Sequence, residues 1–140
     1  MRPVSFLLLL CLTMGCTSTR SAKSGSRLLD GTWIPVKQEM GGRELPPAAF
    51  AKQQLIILDS TYTFTAESVD KGVAKYSGGK MDIYGKEGVN TGKHFTALYR
   101  YELGQLIICY NLAGTSYPES FETKGKPMLF LSVYKKEVLK

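Results

Sequence analysis

The side chains that most often carry catalysis or bind metals are scarce in this sequence. It contains one histidine, His94, and three cysteines, Cys11, Cys16 and Cys109. A structural zinc site takes four imidazole or thiolate ligands, so the sequence predicts no metal site. Cys109 lies in the apolar stretch LIICY, and we expect it to be a small buried hydrophobic residue without a disulfide partner.

Two patterns that could support hydrolysis or phosphate binding are incomplete. Ser116 lies in the loop sequence GTSYP, and the chain has no Gly-x-Ser-x-Gly turn. The segment GKEGVNTGKH resembles a phosphate-binding loop, but Glu87 stands where that motif has glycine and His94 where it has a hydroxyl. Asp82 and Glu67 could face each other across strands as paired carboxylates. We predict neither an enzyme nor a cofactor, and we expect His94 to be exposed or at a rim.

The aromatic side chains offer a different chemistry, that of a ligand-binding wall. The chain has eight tyrosines, six phenylalanines and one tryptophan. A tyrosine combines an apolar ring with a polar hydroxyl, which suits a cavity that holds a small ligand. Plain packing in a hydrophobic core is the alternative role for each ring. The candidate ligand-binding residues are Tyr62, Phe64, Phe95, Tyr99, Tyr101 and Tyr110.

Strands have to position these rings, because apolar residues recur mainly with a period of two and turn residues interrupt them at short intervals. The predicted strands are Thr32 to Gln38, Gln54 to Leu58, Tyr62 to Glu67, Val69 to Tyr76, Lys80 to Tyr84, His94 to Glu102, Gln105 to Asn111 and Met128 to Lys135. One short helix is predicted at Pro46 to Gln53, where proline is followed by good helix formers.

Eight sequential antiparallel strands in one small domain have two edges to hide, and closing the sheet removes both. We therefore predict an eight-stranded, antiparallel up-and-down barrel, with a two-sheet sandwich as the alternative. The sixth predicted strand places Phe95, Ala97, Tyr99 and Tyr101 on one face, and Leu98 is the apolar exception on the other. A barrel of this size either fills with side chains or holds one small ligand.

The first strand opens with Gly31-Thr32-Trp33, which resembles the lipocalin signature. The resemblance implies that the indole closes one end of the barrel and that a basic residue of the last strand lies over it. Lys135, or its neighbour Lys136, is the candidate for that contact, and a cation over an indole contributes about 0.5 to 2 kcal/mol.

The sequence from residue 28 to 136 is similar to a bacterial lipocalin-like family of uncharacterised function. Members are common in planctomycetes and often occur in secreted proteins or lipoproteins. Many have arginine where this chain has Tyr117, so no role of that arginine transfers. The resemblance implies the fold and assigns no reaction or ligand. Its later motif residues here are Gly104, Cys109, Tyr110, Gly114, Pro118 and Phe121.

The N-terminus predicts export. Arg2 precedes an apolar run and a small residue before Cys16, the layout of a signal peptide over residues 1–15. The segment resembles a lipobox, although Thr13 stands where leucine is usual, and it implies a lipidated Cys16 followed by a flexible tether to residue 27. The alternative is ordinary cleavage between Ser18 and Ala22. Residues 28–140 then form one β-barrel domain.

The whole sequence predicts a cell-envelope protein that is anchored by lipid or otherwise secreted, and that is monomeric. Its formal net charge is +6, but the lysines are scattered, so a nucleic-acid partner is not predicted. The expected ligand is small and apolar or amphipathic. The alternative is an envelope interaction or structural module with a filled barrel, acting through loops 85–93 and 114–126. A cavity of a few hundred cubic ångströms would favour the binding protein.

Overall fold

The computed structural model describes residues 28–140, so the predicted signal peptide, Cys16 and the tether lie outside the described residues. The described chain forms one antiparallel sheet of nine strands. The strands are β1 Gly31–Met40, β2 Arg43–Glu44, β3 Gln54–Leu58, β4 Thr61–Thr65, β5 Val69–Ser77, β6 Lys80–Glu87, β7 His94–Glu102, β8 Gln105–Asn111 and β9 Leu129–Lys136.

The predicted closed barrel of eight antiparallel strands is confirmed. From β3 to β9 each strand pairs with the next along the chain, and β1 pairs with both β3 and β9, which closes the sheet. The ninth strand, β2, was not predicted. It is a two-residue extension that folds back on the end of β1 after Gly41 and Gly42, which both have positive φ angles. Glycine adopts that backbone region without the steric cost that other residues incur.

The predicted helix at Pro46 to Gln53 is wrong, because this segment contains only a 3-10 turn at Pro47–Ala49. Phe50 ends the turn with a φ of −129°, outside the helical region, and its ring is buried. The side chain of Gln53 is held by the amide of Gln38 on β1 at 2.6 Å. Tertiary contacts at Phe50 and Gln53 therefore override the local helix propensity.

Trp33 closes one end of the barrel, which we call the Trp33 end. The indole is 0% exposed and its Nε1 donates a hydrogen bond to the carbonyl of Leu29 at 2.8 Å. The ring of Tyr101 meets it edge-on, with 5.9 Å between ring centroids. The ammonium of Lys136 lies 5.5 Å from the indole centroid. Of the two candidates, Lys136 and not Lys135 is thus the cation over the tryptophan.

The alternation of β9 explains why Lys136, and not Lys135, lies over the indole. Tyr134 is buried inside the barrel, so the next residue, Lys135, turns outward and Lys136 turns back towards the interior side. Gly31 leaves room for the lysine chain, since a Cβ there would lie 2.4 Å from Cε of Lys136. Gly31 also has a φ of +142°. Both fixed positions of the Gly-x-Trp pattern thus contribute to the contact with Lys136: Gly31 leaves room for the lysine side chain, and Trp33 provides the ring.

We predict that Trp33→Ala lowers the free energy of unfolding by about 3 to 5 kcal/mol, because it removes a fully buried aromatic side chain. The total free energy of unfolding of a domain of this kind is only about 5 to 15 kcal/mol, so urea unfolding should show a clearly lower midpoint for the variant. Tyr101→Ala is the control, because this ring touches the indole but is 42% exposed. Equal midpoints for Trp33→Ala and the unaltered protein would refute the closing role of Trp33.

Candidate ligand-binding cavity

The barrel interior contains a cavity of about 160 Å³ that runs from mid-barrel away from Trp33. It reaches the end at which β4 finishes and β5 begins, which we call the Asp70 end. Its lining is largely apolar and consists of Leu55, Ile57, Tyr62, Phe64, Asp70, Ala74, Met81, Ile83, Asn90, Phe95, Ile108, Tyr110, Leu112, Phe130 and Tyr134.

Four of the six predicted ligand-binding residues line this cavity, namely Tyr62, Phe64, Phe95 and Tyr110. The other two, Tyr99 and Tyr101, lie on the same inner face of β7 but nearer the Trp33 end. Tyr99 packs edge-on against Tyr76, with 5.7 Å between ring centroids, and Tyr101 packs on the indole. Alternation predicted the face correctly, but Tyr101 lies about 20 Å along the strand from Phe95, too far to share one small cavity.

Sequence reasoning missed the polar residues of the cavity, Asp70 and Asn90. The pattern of β5 carried a usable signal, because Asp70 has the same parity as Ala74, an interior residue. Asp70 is only 5% exposed. Its Oδ1 accepts a hydrogen bond from the backbone N of Asn90 at 3.1 Å, and its Oδ2 accepts one from Asn90 Nδ2 at 3.2 Å.

The glycines of the segment GKEGVNTGKH fold the β6–β7 loop over the Asp70 end. A Cβ on Gly85 would lie 1.9 Å from the carbonyl oxygen of Asn90, and one on Gly88 would lie 2.4 Å from Oδ1 of Asp70. Gly88 also has a φ of +93°, and Gly92 N donates to the carbonyl of Gly85 at 3.0 Å. Close backbone approach therefore accounts for Gly85 and Gly88 in this loop.

The tyrosine hydroxyls of the cavity wall are uncharged near neutral pH. Tyr110 and Tyr134 are joined through their hydroxyls at 3.2 Å, and burial raises the pKa of both phenols. Burial also raises the pKa of Tyr62, and the charge of Asp70 raises it further. Asp70 is the one carboxyl side chain among the residues that line the cavity.

A second polar cluster lies on the outer wall of the barrel. His94 is exposed, as predicted, and its Nε2 lies 2.7 Å from Oδ1 of Asp82. The hydroxyl of Tyr117 donates to the other oxygen of Asp82, and His94 stacks on Tyr84 with ring centroids 4.6 Å apart. The partners of Asp82 are thus His94 and Tyr117, and not the Glu67 considered from sequence.

Tyr117 belongs to the segment 112–128, which this cluster helps to fasten to the barrel wall. The hydroxyl of Thr96 donates to the carbonyl of Ser116, and the guanidinium of Arg100 lies 4.5 Å from the ring centroid of Phe121. Cys109 on the adjacent strand is fully buried, as predicted, and burial raises its pKa to about 11. Its thiol is therefore protonated near neutral pH and unreactive.

Over residues 28–140 no group of three or more His, Cys, Asp or Glu side chains is placed to hold a metal ion. In the same range no helix is long and apolar enough to cross a membrane. Comparisons of the chain with protein-family models, with curated proteins and with solved structures find no match.

We predict that Asp82→Asn destabilises the fold in a pH-dependent way. The hydrogen bond from Tyr117 is the main cause that lowers the pKa of Asp82 below its ordinary 3.8, with His94 adding to the effect and burial opposing it. A lowered pKa in the folded state stabilises the protein above the unfolded-state pKa, and this contribution is lost as the pH falls through the folded-state pKa.

The expected loss at pH 7 is at most about 1 kcal/mol, because the carboxylate is partly exposed to solvent. Urea unfolding at pH 7 and at pH 3 measures it, and the difference between variant and unaltered protein should shrink at pH 3. Tyr117→Phe removes the same hydrogen bond from its other side and should show the same trend. A loss of equal size at both pH values would contradict this account of Asp82.

Proposed function

We propose that this protein is a lipocalin-like binding protein that holds one small apolar or amphipathic molecule in the cavity at the Asp70 end. The observation that carries the proposal is the cavity itself, which has a mainly apolar wall; its volume of about 160 Å³ is smaller than the few hundred cubic ångströms expected from sequence. The contact of Lys136 with a buried Trp33 supports the comparison with lipocalins. No catalytic step is part of this proposal.

The volume restricts the size of the ligand. Pockets for drug-sized molecules measure about 300 to 1,000 Å³, whereas an apolar cavity of about 150 Å³ accommodates benzene. The part of the ligand that enters the barrel is therefore about as large as one aromatic ring. Any larger or more polar part of the molecule has to extend towards the β6–β7 loop.

The competing proposal is an envelope interaction or structural module with a filled barrel. The observation in its favour is the dense packing of the Trp33 end, where Leu29, Trp33 and Leu106 are completely buried. Such a module would act through loops 85–93 and 114–126. Whether the cavity takes up a small apolar molecule separates the two proposals.

We expect toluene to bind in the cavity, because it matches the cavity in size and polarity. Titration of the methyl-labelled protein, followed by NMR, should shift the methyl signals of Ile57, Ile83 and Ile108, which line the cavity. Ile34 does not line it and serves as an internal control. Ala74→Leu should abolish these shifts by filling the space, while Ala51→Leu makes the same change at an exposed position.

If neither toluene nor an amphipathic probe of the same size shifts these signals in the unaltered protein, the binding function is refuted and the filled-barrel module is favoured. Native mass spectrometry of protein purified from its own host complements the titration, because a retained mass identifies the natural ligand directly. Together the two measurements separate the capacity to bind from the identity of what is bound.

We further propose that the protein is exported and anchored by lipid on Cys16. In that case Cys16→Ser should move the protein from the membrane fraction to the soluble envelope fraction, because a multiply acylated cysteine anchors stably and an unmodified chain does not. Cys11→Ser makes the same change inside the predicted signal peptide and should leave the protein in the membrane fraction. Persistent membrane association of Cys16→Ser would contradict the lipid anchor.

A further inference from the structure

The cavity contains a buried carboxylate whose capacity for hydrogen bonds is only partly used. Asp70 lines the cavity and is 5% exposed. A carboxylate offers about four acceptor positions, and Asn90 fills two of them, through its backbone N and its side-chain Nδ2. The remaining positions are open to a donor that enters the cavity.

No basic residue in the described range 28–140 forms an ion pair with Asp70. Lys71, the next residue after Asp70, pairs with Glu87 at 3.8 Å. Lys93, in the loop that contacts Asp70, has its Nζ 3.4 Å from Oδ1 of Asn90. Burying a carboxylate is costly unless a cation or several hydrogen bonds compensate it. A ligand that carries a positive charge would provide the missing compensation.

The surroundings of Asp70 also suit a cation. The hydroxyl of Tyr62 lines the same cavity and forms no hydrogen bond with any residue from 28 to 140, so it can accept one from a ligand. The rings of Phe64 and Phe95 lie in the same wall, and the faces of aromatic rings attract cations. An anionic ligand would instead meet the repulsion of Asp70 without a basic side chain in the lining.

From this arrangement, and resting on the proposed function, we propose that the cavity selects protonated amines. The ammonium group lies at the Asp70 end and donates to the free acceptor positions of Asp70, with Tyr62 as an additional acceptor. The apolar part of the amine, about one ring in size, occupies the space between Ala74, Ile83 and Ile108. The chemical class of the ligand is therefore a small aryl or alkyl amine.

Asp70 has a second role that the test must separate from ligand selection, because the carboxylate also holds Asn90 and with it the β6–β7 loop. Asp70→Asn separates these two roles of Asp70. The amide keeps an oxygen that can accept from the backbone N of Asn90, while the negative charge is lost. Asp59→Asn is the matched control, since it makes the same change at an exposed turn of the Trp33 end.

The experiment compares benzylamine, benzyl alcohol and toluene at pH 7 by NMR titration of the full-length protein. These probes share one ring, and benzylamine alone is charged at this pH. We expect benzylamine to bind at least about tenfold more tightly than benzyl alcohol. Asp70→Asn should remove this preference, because benzylamine should lose far more affinity than toluene, whereas Asp59→Asn should leave the preference intact.

The outcomes distinguish this inference from the proposed function. Binding of toluene without a preference for benzylamine would overturn the amine proposal and leave the binding function intact. Failure of all three probes to bind would overturn both. Equal losses of benzylamine and toluene in Asp70→Asn would show that the carboxylate acts only through the loop. If Asp70→Asn does not fold, the comparison of benzylamine with benzyl alcohol on the unaltered protein still decides the proposal.

Discussion

The pairing of β1 with two partners is the constraint on which the rest of the structure depends. β1 pairs with β3 only from Gly31 to Trp33, and with β9 from Trp33 to Met40. Trp33 is thus the residue at which β1 is paired with both neighbours, and its indole fills the barrel at that level. Beyond it a bulge between Pro35 and Lys37 interrupts the β9 register, and the missing N–H of Pro35 is tolerated there.

Because β1 leaves β3 after Trp33, the two ends of the barrel are built differently. The Trp33 end is closed by main-chain ladders and by a large buried ring. At the Asp70 end, side chains and loops cover the interior instead, including the bond between Gln38 and Gln53, the ring of Phe50 and the β6–β7 loop over Asp70. The cavity lies at the Asp70 end, which is covered by individual side chains and loops and not by strand ladders.

Much of the fold could be predicted from the sequence because strand alternation and turn glycines act locally. The eight long strands and the buried position of Trp33 follow from those patterns. The helix at Pro46 to Gln53 could not be excluded in this way, since the contact that prevents it joins Gln53 to a residue of β1. The cavity wall was predicted only in part for a related reason. Alternation shows which face of the sheet a side chain occupies, but it does not show where along the barrel axis the side chain lies.

Burial on the outer wall of the barrel is another feature that strand alternation could not predict. Leu98 broke the alternation of β7, and the structure pairs it with Cys109 on the outer face. This face is partly covered because the segment 112–128 folds back along it, held by Thr96, Arg100 and Asp82. A distant segment thus buries residues that alternation assigns to solvent, and no pattern within β7 indicates it.

The closure of β1 on β9 also determines the order of events during biogenesis. The strand that completes the barrel is the last one to be synthesised, so β1 keeps one edge without its native partner until the rest of the chain has emerged. Pairings between distant segments form slowly, and an exposed edge invites pairing with other chains in the meantime. Lys37 on β1 and Lys135 and Lys136 on β9 place charge on these two edges, which discourages premature association until the ends of the sheet meet.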